Sequence, residues 1–385
     1  MKITVKISIT FFVSVLYSCN TDILEPSHLK TVQMDSCHFN IIQIPKESTF
    51  DYNKQIDPQS IELIPLEQNK DNVLTVITKI FILDGSIIIY DKNLEAIAIY
   101  KKDGKFDKMI VPNKEIKNIF NMTINCNTKQ ILIHDEKEKK VYHLNMAGDL
   151  IDTSDMTFFF EDFATLEDDS RLTFASIYND KVNFFKHVKS SLFKGSLQRL
   201  ESYVPDFKMI KHLRDEYVPK RILYSSKREI FYTPLFSNDI YSIKKDSIKL
   251  VYKLDFEGEG IEQVIKGKTT STFIKEFNSH KYYSFDGAIW STQNKVFLGI
   301  QKNGYNGYFL DKKSGRLVGG QISMTVNFDD RAILPNFSYP IGVSADKFIS
   351  IITPPYNLNA NYSDQLLTVL KNNPNSPLLL LYNVK

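Results

Sequence analysis

The chain has 385 residues, with 43% apolar and 24% charged side chains and a formal net charge of +3. That balance excludes an intrinsically disordered chain and a membrane-embedded bundle, and it gives no global pull toward nucleic acid. Twenty-seven Phe and 20 Tyr tilt the expectation toward β structure.

The amino terminus reads as a leader. Lys2 and Lys6 form a short positive region before the apolar run from Ile7 to Tyr17, which is too short to span a bilayer as a helix. Leu16-Tyr17-Ser18-Cys19 then resembles a bacterial lipobox, in which the cysteine sulfur takes a diacylglycerol and becomes residue one. We therefore expect residues 1–18 to be a signal peptide, Cys19 to be the lipidation site, and 19–59 to form an amino-terminal arm. The expected address is the cell envelope, by lipid anchoring, at the outer membrane on its periplasmic side or at the cell surface. Cys37 and Cys126 read as two buried thiols, with a disulfide between them as the alternative in an exported chain, and no Cys/His cluster has zinc spacing.

A repeat fixes the architecture. Ile89-Tyr90-Asp91, Ile133-His134-Asp135 and Ile177-Tyr178-Asn179 recur at 44 residues, and Gly104 and Gly148 keep the same register. Each unit reads as four short strands; in the first, Asp84-Gly85 is a hairpin signal. Tyr241–Ile248 and Phe309–Leu317 repeat the polar hairpin of IYKKDGKF, with Gly104 and Gly315 at positive-φ positions. Such meanders bury both faces only when stacked around a ring. The expectation is all-β: a six-bladed β-propeller over 60–385, with four-stranded antiparallel blades near 77–111, 119–153, 159–190, 217–256, 282–322 and 337–384. Ser60–Leu66 is expected to close the last blade beside Ser376–Lys385, with a helix from Ser363-Asp364 through Leu370 before it. Segments 199–217 and 257–281 read as insertions with some helix.

With the lipobox, the Asp84-Gly85-Ser-Ile-Ile-Ile-Tyr-Asp91 core, Leu66-Glu67 and the SPLLLLYNVK tail in hand, the chain resembles the six-bladed β-propeller lipoproteins of Bacteroidetes. The resemblance implies fold and export. It carries no activity, because propellers host many functions.

No nucleophile elbow, zincin, Walker or EF-hand motif occurs, so no catalytic residue, metal ligand or cofactor is assigned and the reading leans away from an enzyme. His134-Asp135, with His143 nearby, has the chemistry to polarise a water or hold a metal, but its repeat position points to packing. Glu161-Asp162 and Glu167-Asp168-Asp169 have the carboxylates to pair for glycosidic chemistry, but read more simply as a polar turn between strands, and Ser284–Trp290 reads as a hairpin with a packed Trp. Tyr282, Tyr283, Tyr305 and Tyr308 are the candidate exposed rings. Asp246-Ser247-Ile248 resembles the O-glycosylation acceptor of Bacteroidetes, which makes Ser247 a candidate modification site. The expected role is a lipid-anchored binding protein for a glycan, a peptide or an envelope protein. The rival roles are a hydrolase or lyase with a non-linear site at the channel mouth, and a structural subunit of an outer-membrane uptake complex.

Overall fold

The computed structural model describes residues 30–31, 34–35, 38–46, 49–50, 55–69, 72–167, 169–175, 192–195, 200–204, 223–225, 229–234, 237–261, 263, 270–279, 281–322, 339–356 and 363–385. The described residues start with four short arm strands, β1 (Lys30–Thr31), β2 (Met34–Asp35), β3 (Asn40–Gln43) and β4 (Thr49–Phe50), followed by β5 (Glu62–Pro65). Blade 1 follows as β6 (Ile77–Leu83), β7 (Ser86–Asp91), β8 (Ala96–Lys101) and β9 (Phe106–Ile110). Blade 2 is β10 (Asn121–Asn125), β11 (Gln130–Asp135), β12 (Lys140–Leu144) and β13 (Leu150–Asp155). Blade 3 is β14 (Phe160–Thr165), β15 (Arg171–Ala175), β16 (Leu192–Gly195) and β17 (Leu200–Val204). Blade 4 is β18 (Leu223–Ser225), β19 (Ile230–Tyr232), β20 (Asp239–Lys244) and β21 (Ser247–Asp255). Helix α1 (Thr270–Asn278) precedes blade 5, which is β22 (Ser284–Ser291), β23 (Lys295–Gln301), β24 (Tyr305–Asp311) and β25 (Leu317–Ile322). Blade 6 has β26 (Gly342–Ser344), β27 (Lys347–Ile352), helix α2 (Asp364–Asn372) and β28 (Leu378–Tyr382).

The result is the six-bladed propeller expected from the repeat, each blade an antiparallel meander of four strands. Blade strands are sandwiched between neighbouring blades, which is why they read as continuous apolar runs. In β7 the alternate side chains serve two different interfaces. Ile88 and Tyr90 pack toward Met122, Ile124, Ile131 and Ile133 of blade 2. Ile87 and Ile89 pack toward Ile349, Leu379 and Leu381 of blade 6. Asp84 and Gly85 take φ values of 50° and 81°, so the predicted β6–β7 hairpin forms as a two-residue turn that needs two left-handed residues.

Closure also follows the sequence. β5 pairs antiparallel with β28 and becomes the fourth strand of blade 6. Leu66 N–H donates to the Pro377 carbonyl at 2.8 Å and Lys385 N–H to the Gln55 carbonyl at 2.8 Å, so the two ends of the ring are fastened together. α2 starts at Ser363, whose side chain accepts from Leu366 N–H.

Four features differ from the sequence reading. The arm adds strands to three blades: β1 lies parallel to β17, β2 and β3 to β21, and β4 to β25. Blade 3 extends to β17, so Leu200–Val204 is a strand where an insertion with some helix is expected; the rest of that segment, 205–217, lies outside the described residues. Ser284–Trp290 belongs to the inner strand β22, with a register shift between Phe285 and Ile289 and Gly287 at φ 88°. The feature is a bulge rather than a hairpin. Its Trp290 is packed as expected, edge-on to Tyr224 with centroids 5.3 Å apart. Cys126 is exposed in the β10–β11 turn, not buried, and Cys37 lies outside the described residues.

Candidate functional site

The first strand of each blade lines the central axis, and polar residues on these strands meet there. Lys79 of β6 donates from Nζ to Asp162 Oδ1 at 2.9 Å and to the Met122 carbonyl at 3.0 Å. Asn121 of β10 donates to the Glu161 carbonyl at 2.9 Å and to Asp162 Oδ1 at 3.2 Å. The other Asp162 oxygen accepts the Leu223 N–H at 3.0 Å. One buried carboxylate thus takes donors from blades 1, 2 and 4 while sitting on blade 3. The arrangement corrects the sequence reading of Glu161-Asp162 as a turn: both lie within β14, and Asp162 is 2% exposed. A carboxylate that accepts from Lys79, Asn121 and Leu223 ties four blades together at the axis. Glu167 and Asp169 do lie in the β14–β15 turn as expected, where Asn125 donates to Asp169 Oδ1 at 2.9 Å; Asp168 is outside the described residues.

The recurring aspartate has a shared task. Asp91 ends β7 and accepts the Thr75, Val76, Asn93 and Leu94 N–H groups. Asp135 ends β11 and accepts Lys117 N–H at 2.7 Å, Asn118 N–H at 3.0 Å and Glu138 N–H at 3.0 Å. Each carboxylate clasps its own hairpin turn to the linker that enters the blade. Both are fully buried, which accounts for the repeat without catalysis.

His134 points to the opposite face from Asp135. Its ring stacks on Phe160 at 4.1 Å and meets Phe120 and Phe163 edge-on. Neither ring nitrogen has a hydrogen-bond partner. Burial, and then the Lys79 ammonium, push its pKa down to about 3, against a smaller opposing pull from Asp162. The repeat position filled by Tyr90 in blade 1 is a packing position here, as expected, although Tyr90 also donates its hydroxyl to the Ile119 and Phe120 carbonyls. His143 sits apart, between Ser154 and Arg171, whose Nη2 is 3.2 Å from His143 Nε2. Arginine is an obligate donor, so Nε2 accepts and the proton sits on Nδ1, facing Gln130 Oε1 at 3.4 Å. Burial and Arg171 both lower the His143 pKa.

The candidate exposed rings are mostly interior. Tyr283 stacks on Phe256 at 5.3 Å and donates to the Lys46 carbonyl of the arm, and Tyr308 is 2% exposed. Tyr305 packs against Tyr339 with centroids 3.9 Å apart, and Tyr282 is half-buried. None forms an open aromatic shelf, because propellers spend such rings between blades. Ser247 is exposed at the start of β21, beside the Lys245-Asp246 turn. Cys19 lies outside the described residues. Among the described residues no group of His, Cys, Asp or Glu is placed to hold a metal ion, and no helix is long and apolar enough to cross a membrane.

Among the described residues, four exposed apolar side chains lie at one end of blade 1. Val73 and Val76 lie in the linker entering β6, Leu94 in the β7–β8 turn and Val111 just after β9. All four mark the same end of blade 1: Lys92 N–H donates to the Val76 carbonyl at 3.1 Å, and Ile97 stands opposite Ile110. They are exposed by 51%, 42%, 41% and 47% respectively.

A family model described as a domain of unknown function, DUF4934, matches residues 41–379. The chain belongs to the DUF4934 family. Among solved structures, this DUF4934 chain is similar to a protein of Bacteroides fragilis described as exported, at 16% identity and a TM-score of 0.70, covering 90% of this chain and 100% of that one. A member of the duf4221 family from Bacteroides vulgatus matches at 11% identity and a TM-score of 0.45, covering 86% and 99%. PorZ, a surface component of the type-IX secretion system of Porphyromonas gingivalis, matches at 13% identity and a TM-score of 0.38, covering 73% of this chain and 30% of that one. Only the first is close enough to show a common fold, and at that identity it shows the fold alone. No curated protein matches the DUF4934 chain.

Proposed function

We propose that the protein is a lipid-anchored component of the cell envelope that works by binding a partner protein on the rim of blade 1. The observation that carries this reading is the set of exposed Val73, Val76, Leu94 and Val111 at one end of one blade. Exposed apolar side chains gathered on a rim favour contact with another protein surface. The anchor half of the reading rests on Leu16-Tyr17-Ser18-Cys19. Closure of the ring through β5 and β28 joins the two ends of the blade series that carries this rim.

Two measurements test it. Cys19→Ala is expected to release the protein from the membrane fraction; full retention would sink the anchor. A photo-reactive phenylalanine analogue at Leu94 is expected to cross-link one envelope protein in cells, while the same group at exposed Lys244 does not. Equal cross-linking at both sites, or none at Leu94, would sink the rim.

A further inference from the structure

The outer edges of the blades are not treated alike. The outermost strands of blades 3, 4 and 5 each receive a parallel strand from the arm, and β5 itself finishes blade 6. Among the described residues, β13 of blade 2 pairs with β12 and with no other strand. β9 of blade 1 is also unextended, but the β12–β13 hairpin leans on it: a Cβ at Gly148 would touch Ile110 and Lys108, and Lys108 pairs with Asp149 at 3.5 Å. Among the described residues β13 has no such cover. All but one of its side chains are exposed, including Leu150 at 42% and Ile151 at 53%.

An open edge offers a row of N–H and C=O groups to any extended chain. This molecule uses that mode of attachment on three sister blades, always in the parallel sense. The chemistry of β13 selects the visitor. Its sequence, Leu-Ile-Asp-Thr-Ser-Asp, carries Asp152 and Asp155 and no cation. Lys140 stands opposite Asp155 on β12, so Asp152 is the carboxylate that a visiting cation reaches first. Residues 19–29, the part of the chain before Lys30 expected to remain once the leader is removed, are a poor complement. They bring Asp22 and Glu25, which repel, and Pro26, which has no N–H.

We propose that the free edge of β13 is a strand-addition site for an extended segment of a partner polypeptide, bound parallel to β13, with apolar side chains over Leu150 and Ile151 and Lys or Arg beside Asp152. The main-chain ladder supplies attachment, and the alternate side chains supply choice. The site is separate from the blade 1 rim and stands without it.

Hydrogen–deuterium exchange on the full chain tests this with a blocked decapeptide of alternating lysine and valine as probe. The peptide is expected to slow exchange across Leu150–Asp155 at least tenfold, leaving β9 and β17 unchanged. Asp152→Lys with Asp155→Lys is expected to abolish the effect while β10–β12 keep their protection, which shows that the blade still folds. A glutamate–valine peptide is expected to act on that variant and not on the wild type. Three results would each overturn the proposal: β13 already as protected as β17 in the free protein, equal protection of β9 by the peptide, or binding indifferent to the charge reversal.

Discussion

Lys79 and Asp162 belong to the first and third blades, yet their charged atoms meet 2.9 Å apart at the axis, with side chains only 6% and 3% exposed. The pair spans the inner strand of the blade between them and draws in Asn121 on the way. Burying two charges is costly, and the attraction offsets that cost only if the remaining donors and acceptors are satisfied. Here Asp162 also takes the Leu223 N–H, and Lys79 also gives to Met122.

Breaking one side of the pair is therefore worse than its net contribution. Lys79→Met is expected to destabilise the ring by about 3–5 kcal/mol, because it strands a buried carboxylate. Asp162→Asn is expected to cost about 2–4 kcal/mol by the same reasoning. The double variant should cost less than the two singles added together, and urea midpoints of all four proteins measure the coupling. A Lys79→Met midpoint equal to wild type would show that the axis does not depend on this tie.

The imidazoles give stability a dependence on pH. In the folded protein His134 is held at about 3 and His143 is also lowered, against an ordinary value of 6.5. Below 6.5 the unfolded chain binds protons that the folded chain refuses, so stability is full above that pH and falls as acid is added. The loss from His134 approaches about 1.4 kcal/mol per pH unit between 6.5 and its folded value. Unfolding at pH 7.5, 6 and 5 reads the slope before most carboxylates titrate. His134→Phe keeps the ring stack, removes two unsatisfied nitrogens and is expected to add about 1–2 kcal/mol at neutral pH while flattening the acid slope. An unchanged slope in that variant would place the titration elsewhere.

Asp135 offers a local test of the repeat. Asp135→Ala leaves the N–H groups of Lys117, Asn118 and Glu138 without their acceptor. About 2–4 kcal/mol is expected to be lost, the range for a buried network with one member removed. Hydrogen exchange should quicken at 117–118 and 138 before it does in blade 5. Uniform quickening across the ring would mean that the clasp is not local.

Much of this was legible in the sequence because it repeats. Ile-Tyr-Asp and Ile-His-Asp recur since each aspartate performs the same bridging in successive blades, and SPLLLLYNVK reads as a strand because both its faces are buried. The arm strands were hidden: two residues, such as Lys30–Thr31, carry no period, and only the edge of β17 makes them a strand. Asp162 was hidden too. Beside Glu161 it looks like turn chemistry, and its role depends on Lys79, 83 positions away in the chain. Tyr283 reads as an exposed ring because nothing local in the sequence says that the arm lies over it. A polar residue inside an otherwise apolar inner strand is the signal that would have found the axis.

Closure of the ring can be tested through one glycine. Gly104 has φ 83°, and a Cβ there would overlap the Pro65 carbonyl oxygen and the Ile64 side chain, both of the closing strand β5. Gly85 has nearly the same φ, 81°, but a Cβ there meets nothing within 4 Å. Gly85→Ala should therefore report backbone strain alone, about 1–2 kcal/mol. Gly104→Ala carries that strain and also pushes β5 off blade 1, breaking the bond from Glu67 N–H to the Gly104 carbonyl at 2.9 Å. Its cost is expected to exceed that of Gly85→Ala by about 2 kcal/mol, in the range for overpacking a rigid contact. The excess should appear as faster exchange in both β5 and β28, because the two strands leave blade 6 together. Equal costs for the two alanines would mean that the first blade's hairpin does not help to lock the ring.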